Sequence, residues 1–188
     1  MAYHEVVKKV IRLLVKAKIS YAIVGGLAAG YYGTARSTRD VDVIVTVDRK
    51  SAEQLVKFAK TTGFAVVKPE VLAPIRVSNR FVMESSDGYR INFWLARTDH
   101  DKVALERRHR GYIYGEYAWI VAPEDLILQK LRAGRARDIA DVVGILIRQR
   151  DKLDVKHLQH WAAMLDISGE LRKLMKKTGV GGRCSPGK

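Results

Sequence analysis

Over residues 3–18 the apolar positions Val6, Val7, Val10, Ile11, Leu14 and Val15 recur every three or four residues, with Lys8, Lys9, Arg12 and Lys16 between them. That period predicts an amphipathic helix with one apolar face. The helix either covers a sheet or lies on a membrane surface, and a sheet follows directly. The period then changes. Residues 21–24 form an apolar run that breaks at Gly25-Gly26, a short apolar helix follows over 27–32, and a second apolar run over 41–47 is entered through Asp40. The pattern predicts strand, glycine turn, helix, strand. Asp48 is placed to cap a helix to about residue 60, with Leu55, Val56 and Ala59 inward. A short strand is expected over 64–67, and a loop or weak helix over 69–75. Two apolar runs, 79–84 and 89–95, flank Ser85-Ser86-Asp87-Gly88, a hairpin signal.

Beyond the hairpin, Asp99 is expected to cap a helix running to about residue 109, with His100 and His109 on the surface. Short strands are expected over 112–114 and 117–121. Pro123 suits a first helical turn, and Glu124 and Asp125 suit the positive end of the helix dipole. Ala133-Gly134 interrupts. A further helix starts near Ala136, with Asp138 and Asp141 three apart on one face. Helical spacing recurs over 151–167, where Trp161 is expected in the core, and again after Ser168. Residues 178–188 are glycine-rich, without periodicity, and expected to be mobile unless a partner orders them. The organisation expected is an αβ core over 1–122, a helical subdomain over 123–177 and the tail.

Composition narrows the setting. The chain has 188 residues, 47% apolar and 29% charged, as a globular domain of this size requires. No apolar run is long enough to span a bilayer, and the basic N-terminus does not read as a secretory signal. A single cysteine, Cys184, excludes a disulfide framework and points to the cytoplasm. The net charge of +14 favours polyanionic partners, nucleic acid first, although high charge also serves solubility alone. The basic run Arg107, Arg108, His109, Arg110 carries the same two meanings, a nucleic-acid contact or a solvated face.

The chemistry concentrates between residues 21 and 47. A missing Cβ at Gly25 or Gly26 lets backbone amides approach a ligand, and the N-terminus of the following helix suits phosphate. Asp40 and Asp42, two apart on a strand, share one side. Neighbouring carboxylates repel unless a cation or proton intervenes, and Mg²⁺ favours one or two carboxylates completed by substrate phosphates. Each half also has a plain structural meaning, a turn and a solvated strand edge. Arg36 and Thr38 fall on the side of Asp40 if their segment is extended.

The run GG followed by RSTRDVDVIV resembles the core motif of the polymerase-beta-like nucleotidyltransferase superfamily. The nearest likeness is to the small prokaryotic AbiEii-type group, the abortive-infection toxins and their relatives, and it spans about residues 19–146. The resemblance implies an α+β fold with a mixed or antiparallel sheet covered by helices. Gly25 and Gly26 would hold NTP phosphates, with Arg36 and Thr38 beside them. Asp40 and Asp42 would bind Mg²⁺ or Mn²⁺. A third carboxylate is expected where Asn92 stands, so Asn92 would be a weak metal ligand and no base. A Pro-Glu-x-Leu helix with a lysine, then an Arg-Asp-x-x-Asp helix, would bring Lys130 and Asp138 to the nucleotide, with Asp141 beside them. A Lys130–Asp138 or Arg137–Asp141 structural ion pair is the alternative for those residues.

Three functions are open. The first is a Mg²⁺-dependent enzyme moving an NMP from an NTP to a hydroxyl on RNA such as tRNA, on protein or on a small molecule, with a toxin role and a cognate antitoxin partner implied by the resemblance. The second is a catalytically impaired nucleotide- or nucleic-acid-binding module, with Asn92 as the cause. The third is an interaction protein without metal dependence.

Overall fold

The computed structural model describes residues 2–66 and 80–181. The expected loop or helix over 69–75, the outer ends of the strands expected at 67 and 79, and the tail from 182 onward lie outside the described residues. The described strands are β1 (Ser20–Ile23), β2 (Asp40–Thr46), β3 (Phe64–Val66), β4 (Arg80–Ser85), β5 (Arg90–Leu95), β6 (His109–Ile113) and β7 (Glu116–Ile120). They form one sheet in the order β3-β4-β5-β2-β1-β7-β6. The pairs β2–β5 and β1–β7 are parallel and the others antiparallel, so the class is α+β with a mixed sheet.

The chain divides into two compact units, 1–27 with 37–121, and 28–36 with 122–188. The first contains the sheet and helices α1 (Tyr3–Lys16), α3 (Arg49–Thr61) and α4 (Asp99–Glu106). Helix α2 (Gly25–Tyr32) begins in the first unit and runs into the second. In β2, Val41, Val43 and Val45 are buried on one side while Asp40 and Asp42 lie on the other, as the two-residue period of a strand requires. Phe81 and Phe93 stack at 4.6 Å in the same core. Helix α1 buries Val6, Val7, Val10, Ile11 and Leu14 as expected, but Val15 is 59% exposed because the apolar stripe turns away before the helix ends. Asp48 caps α3 through a reciprocal bond with Ser51.

The second unit holds α5 (Pro123–Ala133), α6 (Ala136–Gln149), a 3₁₀ turn (Arg150–Lys152), α7 (Val155–Met164) and α8 (Ser168–Thr178). Pro123 stands in the first turn of α5, and Gly134 closes that helix at φ 65°. Residues 28–36 pack on α6 by close approach. A Cβ on Gly33 would lie 3.0 Å from the Ile145 nitrogen, and one on Gly144 would lie 3.2 Å from Thr34 Oγ1.

Five local expectations are corrected. The cap of α4 is Thr98, whose hydroxyl accepts from Asp101 N–H while the Asp101 carboxylate accepts in return. That helix stops at Glu106, and His109 opens β6, because alternating aromatic and small residues there suit a strand. His100 is buried, since it lies on the inner side of α4. The helix expected over 151–167 spans only Val155–Met164, capped by Asp154, and Trp161 on it is only half-buried.

Candidate active site

In the sheet unit the glycine turn and the second strand are locked together at Asp42. Val24 N–H donates to the Asp42 carbonyl at 2.9 Å. The next residue, Gly25, starts α2 with φ 65°, a conformation other L-residues adopt only at a cost. A Cβ there would lie 2.8 Å from both Cβ and Cγ of Asp42, with Oδ2 closer still. Glycine is therefore required twice, by the backbone angle and by the carboxylate pressed against it. The helix begins at the glycines themselves and not at Leu27.

Parallel pairing sets Asp42 directly beside Asn92. Asn92, 8% exposed, donates from Nδ2 to Asp42 Oδ1 at 2.9 Å. One Asp42 oxygen is thus held by an amide while the other lies toward Gly25. Asp40, one step along the same side, is exposed. Its carbonyl accepts from Tyr3 Oη at 3.0 Å and from Thr38 Oγ1 at 3.3 Å, so two hydroxyls fix the start of β2. Burial pushes the Tyr3 hydroxyl well above its ordinary value, and the neighbouring Tyr114 hydroxyl and Asp42 carboxylate add to the shift. Tyr3 therefore stays a neutral donor. The sequence offered no sign of Tyr3, because it lies on a helix far from the motif.

The second unit contains its own charged cluster. Lys130 Nζ lies 3.2 Å from Asp138 Oδ1 and 2.7 Å from Asp141 Oδ2, all three side chains being buried. Arg36 grips Asp141 with two bonds of 2.8 Å, Nε to Oδ1 and Nη2 to Oδ2. Arg135 Nε donates to Asp138 Oδ2. Burial works against ionising Asp138, but the hydrogen bond from Arg135 and the charge and hydrogen bond of Lys130 outweigh it, and its carboxyl falls below the usual range. Asp141 moves the same way: burial raises it, and Arg36 and Lys130 more than reverse that. Lys130 reaches both aspartates, and the arginine that meets Asp141 is Arg36, while Arg137 is exposed.

The donor set bears on metal. Among the described residues no group of three or more His, Cys, Asp or Glu side chains forms a complete metal cage. Two carboxylates on one strand fit Mg²⁺, which keeps water and takes substrate phosphate for its other positions, better than they fit Zn²⁺ or Ca²⁺.

Gly25→Ala should lower the melting temperature by about 6–12 °C. Strain at the positive φ and overlap with Asp42 together come to about 3 kcal/mol, and each kcal/mol moves a chain of this size by about 2–4 °C. Pairing it with Asp42→Gly should recover the overlap part in a thermal melt. A single variant that melts with the wild type would mean that the turn is not constrained as described.

No protein-family model matches the chain, and no curated protein matches it. Solved structures do. A solution structure of the antibiotic-resistance factor ANT(2'')-Ia superposes with a TM-score of 0.62 at 12% identity, over 93% of this chain and 97% of that one. The same factor in complex with adenylyl-2''-tobramycin gives 0.63 at 14%, over 87% and 96%. An antigenic nucleotidyltransferase-like protein from Paracoccidioides brasiliensis gives 0.54 at 18%, over 96% and 97%. At these identities the likeness establishes the fold: the chain has the architecture of its nucleotidyltransferase neighbours. Among the described residues no helix is long and apolar enough to cross a membrane.

Proposed function

We propose that this chain transfers a nucleoside monophosphate from an NTP to a hydroxyl acceptor with the help of Mg²⁺ or Mn²⁺. The observation that carries the proposal is the Asp42 carboxylate seated against a glycine of positive φ, on a nucleotidyltransferase fold. The acceptor oxygen bonds to the α-phosphorus, the bond from that phosphorus to the bridging oxygen breaks, and pyrophosphate leaves. A divalent ion at Asp40 and Asp42 would polarise the α-phosphate and orient it for in-line attack. Gly25 and Gly26 bring backbone amides to the phosphates at the start of α2. Asn92 holds Asp42 in place and serves as at most a weak ligand. Lys130 is assigned to phosphate charge, and Asp138 and Asp141 position it. Carboxyls held below their usual range are poor bases at neutral pH, so Asp138 is not assigned the acceptor proton.

The finer claims rest on the AbiEii-type resemblance and the charge of +14: an RNA acceptor such as tRNA, a toxin role with a protein antitoxin, and work in the cytoplasm. A small-molecule acceptor has its own support, since ANT(2'')-Ia was captured with adenylyl-2''-tobramycin. Asn92 favours a second reading, a module that binds nucleotide without transferring it, because an amide adds no charge and takes no proton. The test is incubation with each labelled NTP, Mg²⁺ or Mn²⁺, and either total RNA or a panel of hydroxylated small molecules. Metal-dependent label transfer is expected. Tight binding without transfer would favour the module, and Asn92→Asp should then restore transfer. Absence of both binding and metal-dependent stabilisation would sink both readings.

A further inference from the structure

The hairpin of β6 and β7 stands at one edge of the sheet, and its outer side is built of rings and arginines. Alternation turns Gly111, Ile113, Ala118 and Ile120 inward and Arg110, Tyr112, Tyr117 and Trp119 outward. The register sets Arg110 opposite Trp119 and Tyr112 opposite Tyr117, whose rings lie 5.1 Å apart. The Arg108 guanidinium lies 4.7 Å from the Trp119 ring centre and that of Arg110 lies 5.1 Å from Tyr117. Tyr112 is 59% exposed, Tyr117 63% and Trp119 38%. The acid nearest in sequence, Glu116, is engaged by Arg12 at 2.6 Å.

We propose that this face binds single-stranded nucleic acid, with bases stacking on Tyr112, Tyr117 and Trp119 and phosphates meeting Arg108 and Arg110. Four features select that occupant. The outward residues include no aliphatic side chain, which a membrane or an apolar protein partner would use. Tyr112 and Tyr117 meet across the strands with their rings tilted by 59°, all three rings reach solvent, and sheet-borne aromatics are a working solution for unpaired bases. Arg108 and Arg110 each lie against one of the rings, Arg108 also donating to the Leu105 carbonyl, and so set positive charge within the aromatic face for a polyanionic backbone to meet. The whole chain carries +14, complementary to a polyanion. The inference stands whether or not the chain transfers a nucleotide, because no residue of the proposed active site takes part in it.

The test titrates the full chain with a labelled RNA single strand of about twelve nucleotides, within the range such sites cover. An RNA duplex of equal length and heparin, a polyanion without bases, are run beside it. The wild type should prefer the single strand to the duplex. Tyr117→Ala should weaken single-strand binding about tenfold and the Tyr117→Ala, Trp119→Ala pair about a hundredfold, from about one stacked base per ring. Heparin binding should stay within about twofold, and Tyr117→Phe, which keeps the ring, should bind RNA like the wild type. Thermal melts check that the variants fold, and the single Tyr117→Ala carries the test if the pair does not. Equal losses on RNA and heparin would reduce the face to a charge patch and overturn the proposal. So would unchanged RNA affinity in the ring variants, including the case where they alter self-association instead.

Discussion

Asp42→Ala should cut metal-dependent label transfer at least about a thousandfold, a loss of roughly 4 kcal/mol of transition-state stabilisation of the kind a positioned metal supplies. The residue is tied into its place by three independent features. Val24 N–H holds its carbonyl, Asn92 holds one carboxylate oxygen, and Gly25 leaves room for the other. Asp42 is half-buried, and a merely solvated carboxylate would not need a glycine pressed against it. Removing it also leaves the buried Asn92 amide without its acceptor, worth about 1–3 kcal/mol. Asp42→Asn separates the two effects, because it keeps the shape of the side chain and removes only the charge. Both variants should lose the stabilisation that Mn²⁺ with NTP gives the wild type in a thermal melt. Transfer within tenfold of the wild type in Asp42→Asn would remove Asp42 from the chemistry.

The parts of this molecule legible in its sequence were those set by local pattern. The two-residue period of β2 announced which side carries Asp40 and Asp42, and Pro123 with Gly134 marked both ends of α5. The resemblance placed Asn92 at the metal site, and the pairing of β2 with β5 sets it beside Asp42, although nothing in the sequence said that the amide would donate to that carboxylate. What could not be read were relations between distant residues. Arg36 fell on the Asp40 side by even spacing, but its guanidinium reaches Asp141, because residues 28–36 pack on α6 through Gly33 and Gly144. Small residues at a helix contact look the same in sequence as small residues anywhere. The strand expected over 112–114 starts earlier, at His109, because the basic run 107–110 overlaps its start and extends the apparent helix past its true end. Tyr3 was read only as the start of a helix, whereas its hydroxyl holds the first residue of β2.

Lys130→Met should destabilise the protein by about 3–5 kcal/mol at pH 7, the usual cost of taking one partner from a buried ion cluster. Methionine fills the space of the lysine stem, so the loss reports charge and not a cavity. Asp138 and Asp141 would stay buried, with Arg135 and Arg36 as their remaining charged contacts of those described. The pH dependence fixes the sign. Both carboxyls are held below their ordinary values in the folded chain. Their contribution is therefore complete above the unfolded value, near 4, and is lost as pH falls through the folded values. In the variant, burial is opposed less and the two carboxyls titrate higher. The gap between wild type and Lys130→Met should thus be widest near neutrality and narrow steadily below about pH 4, as protonation removes the uncompensated charge. Denaturant melts of both proteins at pH 7, 5 and 3.5 read the gap directly. A difference under about 1 kcal/mol at neutral pH would mean that Lys130 contributes little to holding the cluster. In that case its burial between two aspartates would have to be explained by ligand binding alone, and NTP affinity in the folded variant would then measure it.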